Sequence, residues 1–290
     1  MTTPLLPDTF QLGDLVWNAR DADGVEWIVT RDDDWWTAPS RRLFHFERPL
    51  ADGYTRSRSF AGARTLTFEV ALIAPTRALR DARLRQMAGM WRTGDTVVLR
   101  GPGVEADGSS AQYDLLVEYS NPPDPKAINS TAEGLQFTFV APDGVKRSAI
   151  EYTTGQLALP SSTGGLTFPI TYPVAFNAVV TSGSALVTNG GTADTGFIIR
   201  IDGPAPQPRI SLMRGTDVQT LRCNLTVEPG QWLTINTATH SVMLNDLVSR
   251  RGTVAGTFPI LAPGTSEISW DCASYQADAR MTATWHNAQY

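Results

Sequence analysis

The stretch Gln231 to Asp246, QWLTINTATHSVMLND, gathers a Trp, two Asn, a His and an Asp, a set able to hold a ligand or move a proton. Its periodicity argues for something plainer. Leu233 and Ile235 alternate with Trp232, Thr234 and Asn236; Thr-Ala-Thr-His interrupts; Val242 and Leu244 then resume against Ser241 and Met243. That pattern reads as a β-hairpin with a loop of about five residues. The hairpin accounts for every residue in the stretch without a site.

Other chemistry-bearing residues are scattered. His45, His240 and His286 stand beside no Cys or carboxylate at metal-ligand spacing, which gives a zinc or iron centre no support. Asp32-Asp33-Asp34 lacks the alternating oxygens, Gly and later Glu of a calcium loop. Read as extended chain, successive acids point to opposite sides, as in a solvated loop. No G-x-S-x-G elbow, P-loop or G-x-G-x-x-G occurs. The second half holds nine acids with none evidently paired, so a glycoside hydrolase, which needs two facing carboxylates, is a weak reading. No catalytic, cofactor-binding or metal-ligating residue is assigned, and no cofactor is expected. Trp232, Trp270 and Trp285 could form a sugar-stacking platform, although most Trp serves as core or interface filler. A carbohydrate-binding module is therefore the rival reading. Cys223 and Cys272 lie far apart with no CxxC spacing, and in a reducing compartment they read as small apolar fillers, not a disulfide.

The elements that must position these residues are mostly strands. Of 290 residues 42% are hydrophobic and only 18% charged, with 24 Gly and 19 Pro, a balance suited to strands joined by turns. The N-terminus shows no basic region followed by an apolar run, and nothing approaches the roughly 20 apolar residues of a membrane span. The expectation is synthesis in the cytosol with no membrane partner. A net charge of −5 argues against gripping nucleic acid by its phosphates. Lys occurs only at 126 and 146 against many Arg, a compositional hint of a GC-rich genome.

Residues 1–149 carry 17 basic and 20 acidic residues, and the remainder 7 and 9. This shift coincides with loop signals from Pro142-Asp143-Gly144 to Ser161-Ser162-Thr163-Gly164-Gly165, which places a boundary near 149. The first half reads as strands, an Asp21-Ala22-Asp23-Gly24 turn, and the alternating strand Leu66, Phe68, Val70, Leu72 ended by Pro75. One helix is predicted from about Thr76 to Arg92, with Leu84, Met87, Ala88 and Trp91 as its apolar stripe and Arg77, Arg80, Arg83 and Arg85 on other faces. Thr76 is its candidate cap and Gly94 its stop. The second half alternates short strands with turns at roughly 8–12-residue spacing, the pattern of an antiparallel β-sandwich.

Several of these stretches together resemble the distal tail protein family of long-tailed, non-contractile, siphovirus-type bacteriophages. GGLTFPITYPVAF from Gly164 to Phe176 and VTNGGTADTGFIIRIDGPA from Val187 to Ala205 are similar to that family's opening strands and its Asn-Gly turn before a strand ending in Gly-Pro. The 231–246 hairpin and FPILAPGTSEISW, with its Leu-x-Pro-Gly turn, continue the series. DGVEWIVTRDDDWW, RTLTFEVALIAPTRALRDARLRQM and FTFVAPDGVKR match the first domain more loosely. One departure is Asn245-Asp246-Leu247, where the family often has Asp-Gly.

The resemblance implies a mainly β chain: residues 1–149 as a split-barrel-like, ring-forming domain with one helix, and 150–290 as a galectin-like antiparallel β-sandwich. It further implies a non-enzymatic baseplate or tail-tip protein of the virion. In that reading a homo-hexamer connects the distal end of the tail tube to the tail-tip hub and host-adsorption apparatus. The implied partners are the major tail protein of the tube, the tail-tip hub or tail-associated protein, the tape measure protein and receptor-binding proteins, with no sequence-specific nucleic-acid binding. His240 would then be a surface residue at a hairpin tip.

Overall fold

Strand Arg64–Ile73 buries Arg64, Leu66, Phe68, Val70 and Leu72 and turns the residues between them outward, the two-residue alternation its sequence carries. It is flanked by Glu26–Arg31 on one side and Ala132–Ala141 on the other, both antiparallel. The computed structural model to which these strands belong describes residues 8–57, 59–90, 96–163, 179–181 and 183–290. The chain is mainly β and divides into two compact units, 1–149 with Gln289 and Tyr290, and 150–288.

In the first unit, Ser110–Asn121 pairs along its length with Thr96–Val104. Its other edge meets Ala132–Ala141 at the end and Lys146–Thr153 near the start. Phe10–Leu12 joins the edge of Thr96–Val104. The core is aromatic: Trp17 lies 5.0 Å from Phe137 and 5.5 Å from Phe68, and Phe10 packs edge-on against Trp35 at 5.5 Å. Gly103 is in this sheet because a Cβ there would stand 2.2 Å from the ring of the buried Tyr113.

The helix runs Arg77–Met90. The Thr76 hydroxyl accepts from the Leu79 amide at 3.3 Å, capping its start; Trp91 and Gly94 lie outside the described residues. The buried stripe differs from the sequence expectation. Met87 is buried and Leu84 half-buried, but Ala88 is exposed and Arg80 is buried. The helix is rotated so that Arg80, Leu84 and Met87 share the inner face, and the Arg80 guanidinium is tolerated there because Glu133 and Asp81 meet it.

The turn signals around residue 149 read as loop, yet Lys146–Thr153 is a strand, and the division between units, after residue 149, falls inside it. Two of its polar residues are buried groups with partners: the Lys146 ammonium donates to the Trp35 carbonyl at 2.9 Å, and the Ser148 hydroxyl to Glu105 at 2.8 Å.

Among the described residues, the second unit is built mainly of two antiparallel sheets. One orders Val248–Ser249, Ser241–Leu244, Trp232–Asn236, Ile198–Asp202 and Arg280–Gln289. The other orders Ser184–Asn189, Gly264–Asp271, Arg209–Arg214, Asp217–Cys223 and Val254–Gly256. Ile199, Ile201, Leu233, Ile235 and Met281 of the first and Ile210, Leu212, Leu221, Ile268 and Trp270 of the second belong to one buried cluster, the core of a sandwich. The stretch 164–176, which carried part of the family resemblance, lies outside the described residues.

Candidate functional site

The Gln231–Asp246 stretch is a hairpin. Trp232–Asn236 pairs with Ser241–Leu244 in register Leu233 to Leu244 and Asn236 to Ser241. The connection is the Thr-Ala-Thr-His interruption, Thr237 to His240. The Asn236 carboxamide oxygen accepts from the amides of Ala238 and Thr239, while the buried Thr237 hydroxyl accepts from the Phe197 amide at 2.7 Å. His240 sits at the tip, exposed, with φ 57°, its ring stacked on Phe258 at 4.5 Å. Beyond it, Asn245 and Asp246 have φ 53° and 56°. Two consecutive left-handed residues make the mirror-image turn that suits the twist of paired strands, and Asn and Asp tolerate that conformation better than other non-glycine residues. The Asn-Asp departure from Asp-Gly therefore keeps a tight turn.

Asp246 also closes a small polar cluster. Its carboxylate accepts from the Trp232 indole at 2.8 Å, and the Thr234 hydroxyl and the indole hold it below the usual carboxylate range. The Arg200 guanidinium lies 4.7 Å from the Trp232 ring centre, and Arg200 pairs with Asp202 at 2.9 Å. Across the same sheet face the register sets Arg200 opposite Thr282 and Asp202 opposite Arg280, beside an open groove of about 570 Å³ that Thr284 also lines. A sugar platform would need two or three aromatics exposed on one face. Trp270 and Trp285 are buried, and the Trp285 indole donates to the Thr188 carbonyl, so those two rings are core.

The three aspartates 32 to 34 are not an extended loop. Asp33–Trp36 forms one helical turn that sends Trp35 into the core and leaves Trp36 exposed. Asp32 accepts from the Trp36 indole, Asp33 pairs with Arg31, and Asp34 accepts from the Thr67 amide at 2.9 Å. Two buried cations close this turn: Arg64 donates to the carbonyls of Asp34 and Trp35, and Lys146 to that of Trp35. Cations suit the carbonyl end of a helical turn. Burial, and then the neighbouring Arg64 charge, push the Lys146 ammonium down to about 8.

His45, His240 and His286 are not brought together: they lie in a hairpin near the N-terminus, at the 237–240 tip, and in strand Arg280–Gln289, where the His286 ring lies 3.1 Å from the Ile150 carbonyl. Among the described residues no group of three or more His, Cys, Asp or Glu could hold a metal ion, and no helix is long and apolar enough to cross a membrane. Cys223 is buried and Cys272 half-buried, both as free thiols.

One feature escaped the sequence reading. Arg41–Arg42 pairs with Phe60–Ala61, and His45–Glu47 with Tyr54–Arg56, giving a two-stranded ribbon turned at Gly53, φ 85°. Every residue from Arg41 to Thr55 is exposed, including Leu43, Phe44, Phe46 and Tyr54, and Leu50 is 100% exposed. The signal was present: Arg-Arg-Leu-Phe-His-Phe, a Leu50-Ala51-Asp52-Gly53 turn and Tyr-Thr-Arg. Periodicity finds strands that alternate because one face is buried, and this ribbon has none. In the same unit an open groove of about 380 Å³ is lined by Ala71, Gly134 and the exposed Ile128, with Glu69, Asp124 and Lys126 beside them.

No family model matches the chain, and no curated protein matches it. Solved structures do. The crystal structure of the SPP1 Dit (gp 19.1) protein, described as a paradigm of the hub adsorption apparatus in phages infecting Gram-positive bacteria, aligns with 97% of this chain and 98% of that one, at TM-score 0.65 and 12% identity. The phage P2 baseplate in its activated conformation with calcium aligns with 96% of this chain and 98% of that one, at TM-score 0.48 and 9% identity. At 12% identity, the first likeness establishes that this chain shares the Dit fold over nearly its whole length.

Proposed function

We propose that this protein is a non-catalytic structural component of a phage tail tip, a homo-hexameric ring that joins the distal end of the tail tube to the tail-tip hub and host-adsorption apparatus. The observation that carries this reading is the fold shared with the SPP1 Dit protein across 97% of the chain. The strand and turn motifs of the second half point the same way, and the polar residues of the 231–246 stretch are engaged in turns and packing. The first unit supplies most of the ring contacts, and the partners are the tube, hub, tape measure and receptor-binding proteins. A head-to-tail contact that closes a ring needs two different complementary patches on each subunit.

Light scattering with negative-stain imaging tests the reading. The expected result is a concentration-dependent closed ring, of about six copies as the resemblance to the distal tail proteins implies, and a place for the protein beside tape-measure and hub proteins in purified particles. A monomer at all concentrations that forms no ring even with tube protein present would overturn it. If DNA passes through the ring, its wall should not hold phosphate, so tight and salt-sensitive DNA binding in a gel shift would contradict the same reading.

A further inference from the structure

We infer that the ribbon Arg41–Ala61 is an assembly arm whose occupant is a second copy of this chain, and that its Leu50 tip enters the Glu69/Asp124-rimmed groove of that neighbour. The inference rests on the ring reading and supplies its two complementary patches.

Three observations lead to it. A two-stranded hairpin is at best marginally stable in water unless a face packs on something, yet every residue from Arg41 to Thr55 is exposed. Its hydrogen bonds hold its shape, with the Arg48 amide donating to the Gly53 carbonyl and the Ser57 amide to the Phe44 carbonyl, but they bury nothing. Second, the ribbon concentrates large apolar groups: Leu43, Phe46 and Leu50 are 66%, 69% and 100% exposed within eight residues. Apolar clusters of this kind mark interaction sites.

Third, charge selects the partner. Arg41–Ala61 carries five Arg against Glu47 and Asp52, a net charge of +3. Taking those seven from the 17 basic and 20 acidic residues of 1–149 leaves 12 basic and 18 acidic, a net charge of −6. A basic apolar arm on an acidic body suits the body of another copy. The groove offers the half-buried Ala71 and the exposed Ile128 for Leu50, and two carboxylates, Glu69 and Asp124, against the single cation Lys126 for Arg48 beside the tip.

The test compares the full chain with a variant carrying Phe46→Asp and Leu50→Asp. Both side chains are exposed, so thermal unfolding of the variant should match the wild type under dissociating conditions. Assembly should weaken by about tenfold or more, from the apolar surface no longer buried. Trypsin should cut wild type at Arg42 when dilute and spare it when assembled. In mixed rings, Leu50→Cys protein and Ile128→Cys protein should be joined by a short bismaleimide, and Glu69→Gln with Asp124→Asn should reduce the salt dependence of assembly. A wild type that never assembles would overturn both the ring and the arm. Wild type and double-Asp variant forming equal rings, or rings in which Leu50→Cys joins elsewhere than Ile128→Cys, would overturn the arm and leave the ring standing.

Discussion

Arg80 Nη1 stands 3.3 Å from Glu133 Oε1, with the two side chains only 11% and 8% exposed. The same guanidinium reaches Asp81 at 2.8 Å and the Asn129 carbonyl at 3.1 Å, so one buried cation ties the helix to strand Ala132–Ala141 and its preceding loop. Removing one member of such a pair leaves the other charged and dry, which is costlier than removing both. Arg80→Met should lower stability by about 3–5 kcal/mol, and Arg80→Met with Glu133→Met should recover most of that. Urea denaturation measures both. Equal losses in single and double variants would show that the guanidinium matters for packing and not as Glu133's counter-charge.

Lys146 should give the first unit a stability that rises with pH. Its ammonium is pushed down to about 8 from an ordinary 10.5, by burial and then by Arg64. Below pH 8 both folded and unfolded chains carry the proton, and folding bears the cost of the buried charge. Between about 8 and 10.5 only the unfolded chain holds it, so raising the pH favours the folded state. The gain is no more than about 3 kcal/mol. Lys146→Met should remove this slope, and a wild type and variant with parallel stability curves from pH 7.5 to 10.5 would refute it.

How much was legible in the sequence follows from what periodicity measures. Leu66, Phe68, Val70 and Leu72, or Leu233 and Ile235, show their burial by alternation, so the strands and the sandwich could be read directly. The helix was visible but its rotation was not: Ala88 counts as apolar and Arg80 as polar in any pattern, and only the facing Glu133 reverses their places. Lys146 and Ser148 fall among loop signals for the same reason, because their partners Trp35 and Glu105 are remote in sequence. The ribbon was missed because neither of its faces is buried.

Gly103 should tolerate no side chain. In strand Thr96–Val104 it stands over the ring of Tyr113, which is 1% exposed, at a distance that leaves a methyl 2.2 Å from the ring. Tyr113 is also fixed at its hydroxyl, which accepts from Gln289 at 2.7 Å. Gly103→Ala should therefore destabilise by about 1–3 kcal/mol through overpacking, whereas Gly108→Ala, where no atom lies within 4 Å, should cost less and only through its φ of 83°. A Gly103→Ala protein melting with the wild type would mean that the Tyr113 ring moves freely aside.

The two thiols should be inert in the folded protein and should act on stability in the opposite sense to Lys146. Cys223 is pushed up to about 12 by burial and then by the nearby Cys272; Cys272 is pushed up to about 12 by burial and then by the Asp271 carboxylate. Since the thiolate is the nucleophile, only about one thiol in ten thousand is reactive at pH 8. Iodoacetamide at pH 8 should leave both unmodified, and denaturant should release both. As pH rises Cys272 should react first, being half-buried where Cys223 is 1% exposed. Between pH 9 and 12 the unfolded chain loses thiol protons that the folded chain keeps, so stability is full below about 9 and falls as pH climbs toward 12. The fall should vanish in a Cys223→Ala, Cys272→Ser variant, measured against its own stability at pH 8. Rapid labelling of Cys223 in the native protein at pH 8 would show that the sandwich core opens around it.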